Sequence, residues 1–341
     1  MNAPLQFPLA RDPVGPAPPR RPGSLRRTST IDTSWPDGYA QPMRMEGHAR
    51  DVWTPPEGGA PVVLAENRYV ITASARREIL AIETFPERPE AQGLVGIRAG
   101  GESRAALTRI MAPDRIAGTP LYLILDDFAG ASLVAGWVWS HWPDDWQRQA
   151  QQSGAQATAG RRGDMEGVCT GFAPGSSALG DPTATAATAS IREQSSTRVP
   201  PLLNPADPDG WHTLAIQPGV GMRRAQRIDV WREGEGLAID LGFQDSGTAP
   251  DGGDRIAIHE YHVAARAEGG RLTQLAVDPR ILPFRECPGA AAKAQAMLGA
   301  FLSELRSRVL ETLSGIEGCT HLNDVLRSMA EVPKMIAQIP R

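Results

Sequence analysis

Hydrophobic and polar residues alternate along the C-terminal part of the chain, in stretches separated by glycine-rich turns. The alternating stretches are Ile228–Arg232 and Leu237–Phe243, around a Glu-Gly-Glu-Gly turn, and Ile256–Ala265 and Arg271–Val277, around a Glu-Gly-Gly turn. Alternation with period two between such turns is typical of antiparallel hairpins with one buried face. We therefore predict four consecutive strands here.

A helical pattern follows these strands. Pro288-Gly289 suits a first helical turn, and apolar residues then recur at helical spacing, which predicts a helix over 290–313. The apolar stripe consists of Leu298, Phe301, Leu302, Leu305, Val309, Leu310 and Leu313. A shorter helix is predicted over 321–330, with Pro333 ending it.

The N-terminal half of the chain repeats this order of elements. The matching stretches are Arg26–Asp32 with Arg223–Asp229, Met45–Asp51 with Ile239–Asp245, and 62–86 with 255–279 without a gap. The order agrees over roughly a hundred residues, within the size of one domain. We predict an α+β fold made by tandem duplication of a β-meander followed by two helices, with the helices on one face of the sheet. Chance similarity of two hairpin patterns is the alternative.

Composition divides the chain into four parts. Residues 1–24 are rich in proline and arginine, which predicts an extended, mobile and disordered arm. Residues 25–147 form the first repeat and 222–341 the second. Between them, 148–221 is a linker rich in Gly, Pro, Ala and Thr. Hydrophobic residues make up 41% of the chain, which predicts a packed core.

Charge and cysteine content narrow the classes of function. The net charge is −4 and no basic block is present, which argues against a nucleic-acid-binding surface. No apolar run reaches the length we expect of a membrane span, and the N-terminus lacks the apolar core of a secretory signal. Three cysteines, an odd number, favour a reducing cytoplasm. The expected partners are a small-molecule substrate and a second copy of the chain in a homodimer, with neither nucleic acid nor membrane.

Cysteine and histidine residues gather in the second repeat. Alternation along the third strand places His259 and Tyr261 on one face, and Cys287, Cys319 and His321 lie at the starts of the two predicted helices. One strand and two helix starts can converge at one edge of such a fold. His259, Cys287, Cys319 and His321 would then supply two sulfurs and two nitrogens, a tetrahedral zinc set, and iron accepts similar donors. Buried free thiols beside a capping histidine are the alternative.

Three chemistries remain open for these residues. A zinc or iron enzyme would polarise a carbonyl or activate water, with Glu260, Asp245 or His262 as acid or base. A metal-free enzyme would use Cys319 as a nucleophile toward an acyl group, with His321 or His259 as its base. A scaffold protein would hold a metal or an iron–sulfur cluster. The third cysteine, Cys169, is interpreted as a small packed residue.

Cys287-Pro288, a helical pattern and then Gly318-Cys319-Thr320-His321-Leu322 together resemble a bacterial family known only as a domain of unknown function. The resemblance is clearest over 222–335, and in that family a histidine on the third strand, matched by His259, accompanies the Cys and Cys-Thr-His elements. A more distant similarity is to the NifU-like iron–sulfur scaffold fold, in which cysteines and a histidine hold zinc or a cluster. This chain has two site cysteines where that fold has three, which favours a mononuclear site. The first hypothesis, a metal-dependent lyase or hydrolase acting on a small organic substrate in bacterial catabolism, is preferred.

Overall fold

A nine-stranded antiparallel sheet forms the centre of the protein, for which a computed structural model describes residues 4–57, 59–142, 148, 151, 165–179, 196–248, 252 and 255–339. The strands are β1 Ser24–Ser34, β2 Met43–Thr54, β3 Val62–Ala73, β4 Ile79–Phe85, β5 Thr197–Arg198, β6 Gly221–Glu233, β7 Gly236–Thr248, β8 Arg255–Glu268 and β9 Arg271–Ile281. Their order is β4-β3-β2-β1-β6-β7-β8-β5, with β9 paired to β8. The alternation of the sequence therefore does mark strands, and the fold is of the mixed α+β class.

The sheet consists of two four-stranded meanders that meet at their first strands, and the short strand β5 adds to β8 as the ninth strand. β1 pairs with β6 in antiparallel register from Ser24 opposite Trp231 to Ser34 opposite Gly221. Each meander also departs from regular pairing between its second and third strands, where Leu64 of β3 and Ile258 of β8 are extra residues opposite Asp51–Val52 and Asp245–Ser246. A β-bulge bends a strand and re-aims its side chains. The matching bulges therefore give Asp51 and Asp245 the same local setting in the two meanders.

Helices pack on one face of the sheet. They are α1 Gly101–Ile110, α2 Ala112–Ala117, α3 Pro120–Ala135, α4 Trp137–His141, α5 Gly289–Lys293, α6 Leu305–Thr312, α7 Thr320–Ser328 and α8 Val332–Ala337. Nearly every residue of α3 is buried, because this helix lies against the sheet and is flanked by α1 and α7. A helix that is apolar all round belongs in such a central position.

Extended segments cover the opposite face. His212 bonds the hydroxyls of Thr28 and Thr30 on β1, each at 2.9 Å. The sequence predicts a mobile arm over residues 1–24. The described part of that arm is extended, and two backbone hydrogen bonds hold it. The N–H groups of Phe7 and Asp12 donate to the carbonyls of residues 285 and 280. Further along, the guanidinium of Arg20 bonds Asp207.

The predicted helix over 290–313 is wrong in its middle. Gly299 adopts φ = +81°, a left-handed conformation that interrupts a helix, and its N–H donates to the carbonyl of Leu272 on β9. The chain is helical only up to Met297 and again from Leu302. The non-helical residues between them contact the sheet, although the apolar spacing of the sequence continues through them. Leu298 and Leu310, two members of the apolar stripe, are 43% and 42% exposed.

The short C-terminal helix is confirmed, with Leu322, Val325, Leu326 and Met329 all buried. Its predicted end is wrong. Pro333 does not close this helix, because it occupies the first turn of α8, where its missing N–H costs no hydrogen bond.

One stretch contradicts the prediction that no apolar run reaches membrane-spanning length. Pro120–His141 is 22 residues long with a mean hydropathy of 1.4 over its most apolar window. However, 83% of that window is buried inside the protein. Such a helix has the same composition as the core helix of a water-soluble protein, and that is the position it occupies here.

Candidate metal centre

Two strands and one helix bring Asp245, His259 and His321 together. Asp245 on β7 and His259 on β8 are directly opposite each other in the strand pairing. His321 is the second residue of α7, whose N-terminus lies over the same face of the sheet. Among the described residues, these three form the group of His, Cys, Asp and Glu side chains whose donor atoms all lie within 4.8 Å of one another.

The geometry of the group leaves two nitrogens without partners. His259 Nδ1 and His321 Nε2 each lie 3.6 Å from the same oxygen, Asp245 Oδ2. That distance is too long for a hydrogen bond, and neither nitrogen has a hydrogen-bond partner among the described residues, although both are buried. The two imidazole rings stack with their centroids 3.5 Å apart and their planes 19° from parallel. The two nitrogens thus face one carboxylate oxygen across a gap.

Burial keeps both imidazoles neutral. Removal from water lowers the pKa of His259 well below its usual value, and the neighbouring His321 lowers it further. Burial likewise lowers the pKa of His321, with a smaller contribution from the charge of Arg224. A neutral imidazole has a free lone pair and is the form that binds a metal ion.

Arg224 holds the carboxylate of this group in place. Its Nε and Nη2 donate to the two oxygens of Asp245 at 2.9 and 3.0 Å. Its Nη1 donates to Asp324 on α7 at 2.8 Å, which ties the helix that carries His321 to the same guanidinium. Gly130 on α3 makes room for this arrangement, because a methyl group there would lie 2.0 Å from Asp324 Oδ2.

The two cysteines of the predicted ligand set lie beside this group rather than in it. Cys319 Sγ is 3.9 Å from His321 Nδ1, the ring nitrogen on the other side from Asp245. Tyr261 donates a hydrogen bond to Cys319 Sγ at 3.4 Å. Cys287 is buried nearby. Of the four predicted ligands, the structure brings His259 and His321 together with Asp245.

The residues predicted as acid or base are separated by the strand alternation. Asp245 belongs to the group, whereas Glu260 and His262 lie on the opposite face of β8. Glu260 accepts a hydrogen bond from the N–H of Val14 at 2.6 Å, and His262 Nε2 lies 2.6 Å from Asp240 Oδ2. These two side chains therefore face the covering arm and the surface, not the imidazole pair.

Sequence reasoning missed Arg224 and the role of Asp245. The signal was present in the repeated stretches, since Arg27 and Asp51 occupy the matching positions in the first half. Arg27 donates to both oxygens of Asp51 at 2.7 and 2.6 Å, as Arg224 does to Asp245. The first half lacks the imidazoles. Ala65 stands opposite Asp51 where His259 stands opposite Asp245.

A separate groove lies on the outer face of the first meander. It has a volume of about 760 Å³ and is lined by residues that include His48, Glu66 and Arg68. His48 Nε2 is 2.6 Å from Glu66 Oε1, so the ring is already engaged. The groove contains none of the three residues of the candidate metal centre, and its size alone assigns it no chemistry.

Comparison with known proteins gives one partial match to a family model and no activity. Residues 222–334 match the model of a family described as "Protein of unknown function (DUF2889)". The match covers less than half of the chain and contains all three residues of the candidate centre. No curated protein and no solved structure matches the chain significantly.

Proposed function

We propose that this protein is a metal-dependent enzyme whose ion is held by Asp245, His259 and His321. The observation that carries the proposal is the pair of buried, unpartnered nitrogens that face one carboxylate oxygen at 3.6 Å each. Leaving a buried polar atom unsatisfied costs about 1–3 kcal/mol. An ion between the three donors would engage all of them once the stacked rings turn their in-plane lone pairs toward it.

The distances suit a transition metal. Zn²⁺ binds imidazole nitrogen and carboxylate oxygen at about 2.0–2.2 Å. Two donors 3.6 Å apart can both lie at such a distance from one ion, at an angle close to that of a tetrahedral site. Two histidines and one carboxylate are also the donor set of non-haem iron sites. Zinc and iron therefore remain the candidate metals.

Three protein ligands leave a coordination position for a substrate or water. At that position a bound ion would polarise a carbonyl group or activate water. Arg224 would keep the Asp245 carboxylate oriented, and the interaction of His321 Nδ1 with Thr320 Oγ1, 3.3 Å away, would fix the ring. The buried setting favours a small organic substrate, and we propose a lyase or hydrolase reaction. The cytoplasmic location and the homodimer stay predictions.

The alternative of a metal-free thiol enzyme has less support. Burial raises the pKa of the Cys319 thiol above its usual value, so the neutral form is favoured over the nucleophilic thiolate. The imidazole of His321 is 3.9 Å away, and burial lowers its pKa, which makes it a weak base.

We also propose that the two meanders arose by duplication. Support comes from the paired arginines at the sheet centre, where Arg26 bonds Asp229 across the β1–β6 pairing and Arg223 bonds Asp32 in the reverse sense. The similarity to the NifU-like fold remains a prediction.

Metal analysis tests the proposed function. Protein purified without a histidine tag, and the same protein treated with chelator and reloaded with Zn²⁺ or Fe²⁺, should bind one ion per chain. His259→Ala and His321→Ala should each weaken binding by at least about tenfold. His262→Ala is the matched control, since it removes an imidazole from the other face of the same strand. Equal metal binding by the wild type and the two site variants, with all variants folded by circular dichroism, would refute the assignment.

A further inference from the structure

A cavity lies at one end of the first meander, where two strand connections meet the end of α3. Its lining comes from residues 35–43 between β1 and β2, from the turn between β3 and β4, and from residues 132–139 of α3 and α4. Its volume is about 280 Å³. Small-molecule sites commonly have volumes of about 300–1,000 Å³, so this cavity suits a ligand with a single ring. It contains none of the three residues of the candidate metal centre.

Three aromatic side chains line this cavity and pack against one another. Trp139 contacts both Trp35 and Tyr39 edge-to-face, with ring centroids 5.4 Å apart in each pair and ring planes at 72° and 70°. Edge-to-face contacts are among the favourable arrangements of aromatic rings. The cavity therefore has aromatic walls, which in small-molecule sites pack against the apolar body of the ligand.

Arg77 is the one charged residue among the described residues that line the cavity. It is partly buried, and no described residue accepts a hydrogen bond from its guanidinium or pairs with its charge. Burial lowers the pKa of Arg77, the charge of Arg98 lowers it further, and no carboxylate offsets these two effects. A partly desolvated cation without a counter-charge favours an anionic ligand. It also disfavours the cationic ligands that aromatic cages otherwise bind.

The backbone around this cavity is strained at two positions. In the described part of the chain, the non-glycine residues with a left-handed backbone are Ala40, at φ = +64°, and Arg77, at φ = +65°, and both line the cavity. The N–H of Arg77 donates to the carbonyl of Ser74 at 2.7 Å, and its carbonyl accepts from the N–H of Ala99 at 2.8 Å, which holds this conformation. Glycine adopts such a backbone without strain, and strained residues cluster at functional sites. Arginine at position 77 is therefore less stable than glycine would be, and the guanidinium is what glycine lacks.

We propose that this cavity binds a small carboxylate that carries an aromatic ring, with Arg77 as the partner of the carboxylate. A guanidinium matches the two oxygens of a carboxylate in a bidentate, charge-assisted pair. One guanidinium balances the single charge of a carboxylate, whereas a doubly charged phosphate ester would keep one charge without a partner. The ring of the ligand packs against the aromatic walls. This binding site does not depend on the proposed metal centre.

Three probes test the ligand class on the full-length protein, with binding followed by ligand-observed NMR. Benzoate has the ring and the charge, benzamide has the ring without the charge, and acetate has the charge without the ring. We expect benzoate to bind at least about tenfold more tightly than either of the other two. Benzamide loses the charged hydrogen bonds, and acetate loses the apolar contact of the ring.

Arg77→Gly should weaken benzoate binding by at least about tenfold and should melt at the temperature of the wild type or above, because glycine relieves the strain. Arg76→Gly is the matched control. It removes the same charge from the neighbouring exposed residue, which does not line the cavity, and should bind benzoate as the wild type does. A wild type that does not bind benzoate, or that binds benzamide or acetate equally well, would overturn the proposal. Unchanged benzoate binding in Arg77→Gly would do the same, and so would a melting temperature below that of Arg76→Gly, which would assign the side chain a structural role.

Discussion

Replacing Arg27 by methionine should reveal how far the fold depends on its buried charges. Arg27 is fully buried, and its guanidinium donates to both oxygens of Asp51 and, at 2.8 Å, to the carbonyl of Gly118. Methionine keeps much of the volume but removes the charge. Among the described residues, Arg27 alone donates hydrogen bonds to the Asp51 carboxylate. The substitution therefore leaves a fully buried carboxylate without a counter-charge.

The size of the expected loss in stability follows from the cost of protonating the buried Asp51 carboxylate. An unpaired buried charge is so costly that the group binds a proton on folding instead. Protonating an aspartate whose unfolded pKa is about 3.9 costs about 4 kcal/mol at pH 7 and about 1.5 kcal/mol at pH 5. The value at pH 7 agrees with the loss of about 3–5 kcal/mol that is typical when one partner of a buried ion pair is removed. Such a loss is about a third of the free energy of unfolding of a domain.

The assay is urea unfolding followed by circular dichroism at pH 7 and pH 5. Arg27→Met should lower the free energy of unfolding by about 4 kcal/mol at pH 7 and by clearly less at pH 5, because the folded variant carries one more proton than the unfolded chain. Adding Asp51→Leu should restore most of the loss, since a buried ion pair can be replaced by apolar residues at little cost. Arg266→Met, which removes a partly exposed partner of Glu233, should cost less than about 1 kcal/mol.

Two results would contradict this reasoning. A loss below 1 kcal/mol at pH 7 would mean that water reaches the Asp51 carboxylate. A loss equal at both pH values would mean that packing around Arg27, not charge, is responsible. Metal binding should be unchanged in Arg27→Met, because this ion pair belongs to the meander that carries neither His259 nor Asp245.

Further predictions concern other buried charges and one helix glycine. Burial and a neighbouring carboxylate raise the pKa of Asp127 to about 8. The stability that this carboxyl group contributes is therefore full below about pH 4 and is lost as the pH rises to 8. Asp127→Asn should have the same melting temperature as the wild type near pH 4 and a higher one near pH 8. Burial alone would raise the pKa of Asp126, but Arg306 and other arginines outweigh this effect and lower the pKa to about 2. Asp126→Asn should lower the free energy of unfolding in urea by about 2.5 kcal/mol at pH 7, and the difference from the wild type should shrink between pH 4 and pH 2. Gly130→Ala should cost about 1–3 kcal/mol by displacing the ion pair it contacts, whereas Gly136→Ala, whose methyl group would meet nothing within 4 Å, should be neutral by the same measurement.

The strands could be predicted because their signal is local. Alternation along Ile256–Ala265 and the glycine turns around it depend only on neighbouring residues, and the structure confirms them. The helix over 290–313 failed for the opposite reason. Gly299 ends it by pairing with Leu272, a contact that depends on where the sheet lies and leaves the apolar spacing intact.

The sequence predicted the histidines of the candidate centre as ligands but not Asp245 as their partner. His259 was predicted from the alternation along its strand and His321 from its place at a helix start. Asp245, however, is opposite His259 only through a register that contains a bulge, which no turn pattern specifies. Cys319 and His321 are two residues apart at the start of a helix, and this proximity suggested one shared site. The imidazole instead points one nitrogen toward Asp245 and the other toward the sulfur.

The comparison of the two halves bears on why the histidines are present. Both meanders place an arginine–aspartate pair beside the same bulge, and such a pair alone is weak as a source of stability. The second half adds His259 where the first has Ala65. It also adds His321 as second residue of its helix, where α3 of the first half has Leu121. Alanine and leucine show that apolar residues fit the corresponding positions of the first half. Two imidazole nitrogens left unpartnered in the core lower stability, so a ligand that engages them offers the physical reason for their presence.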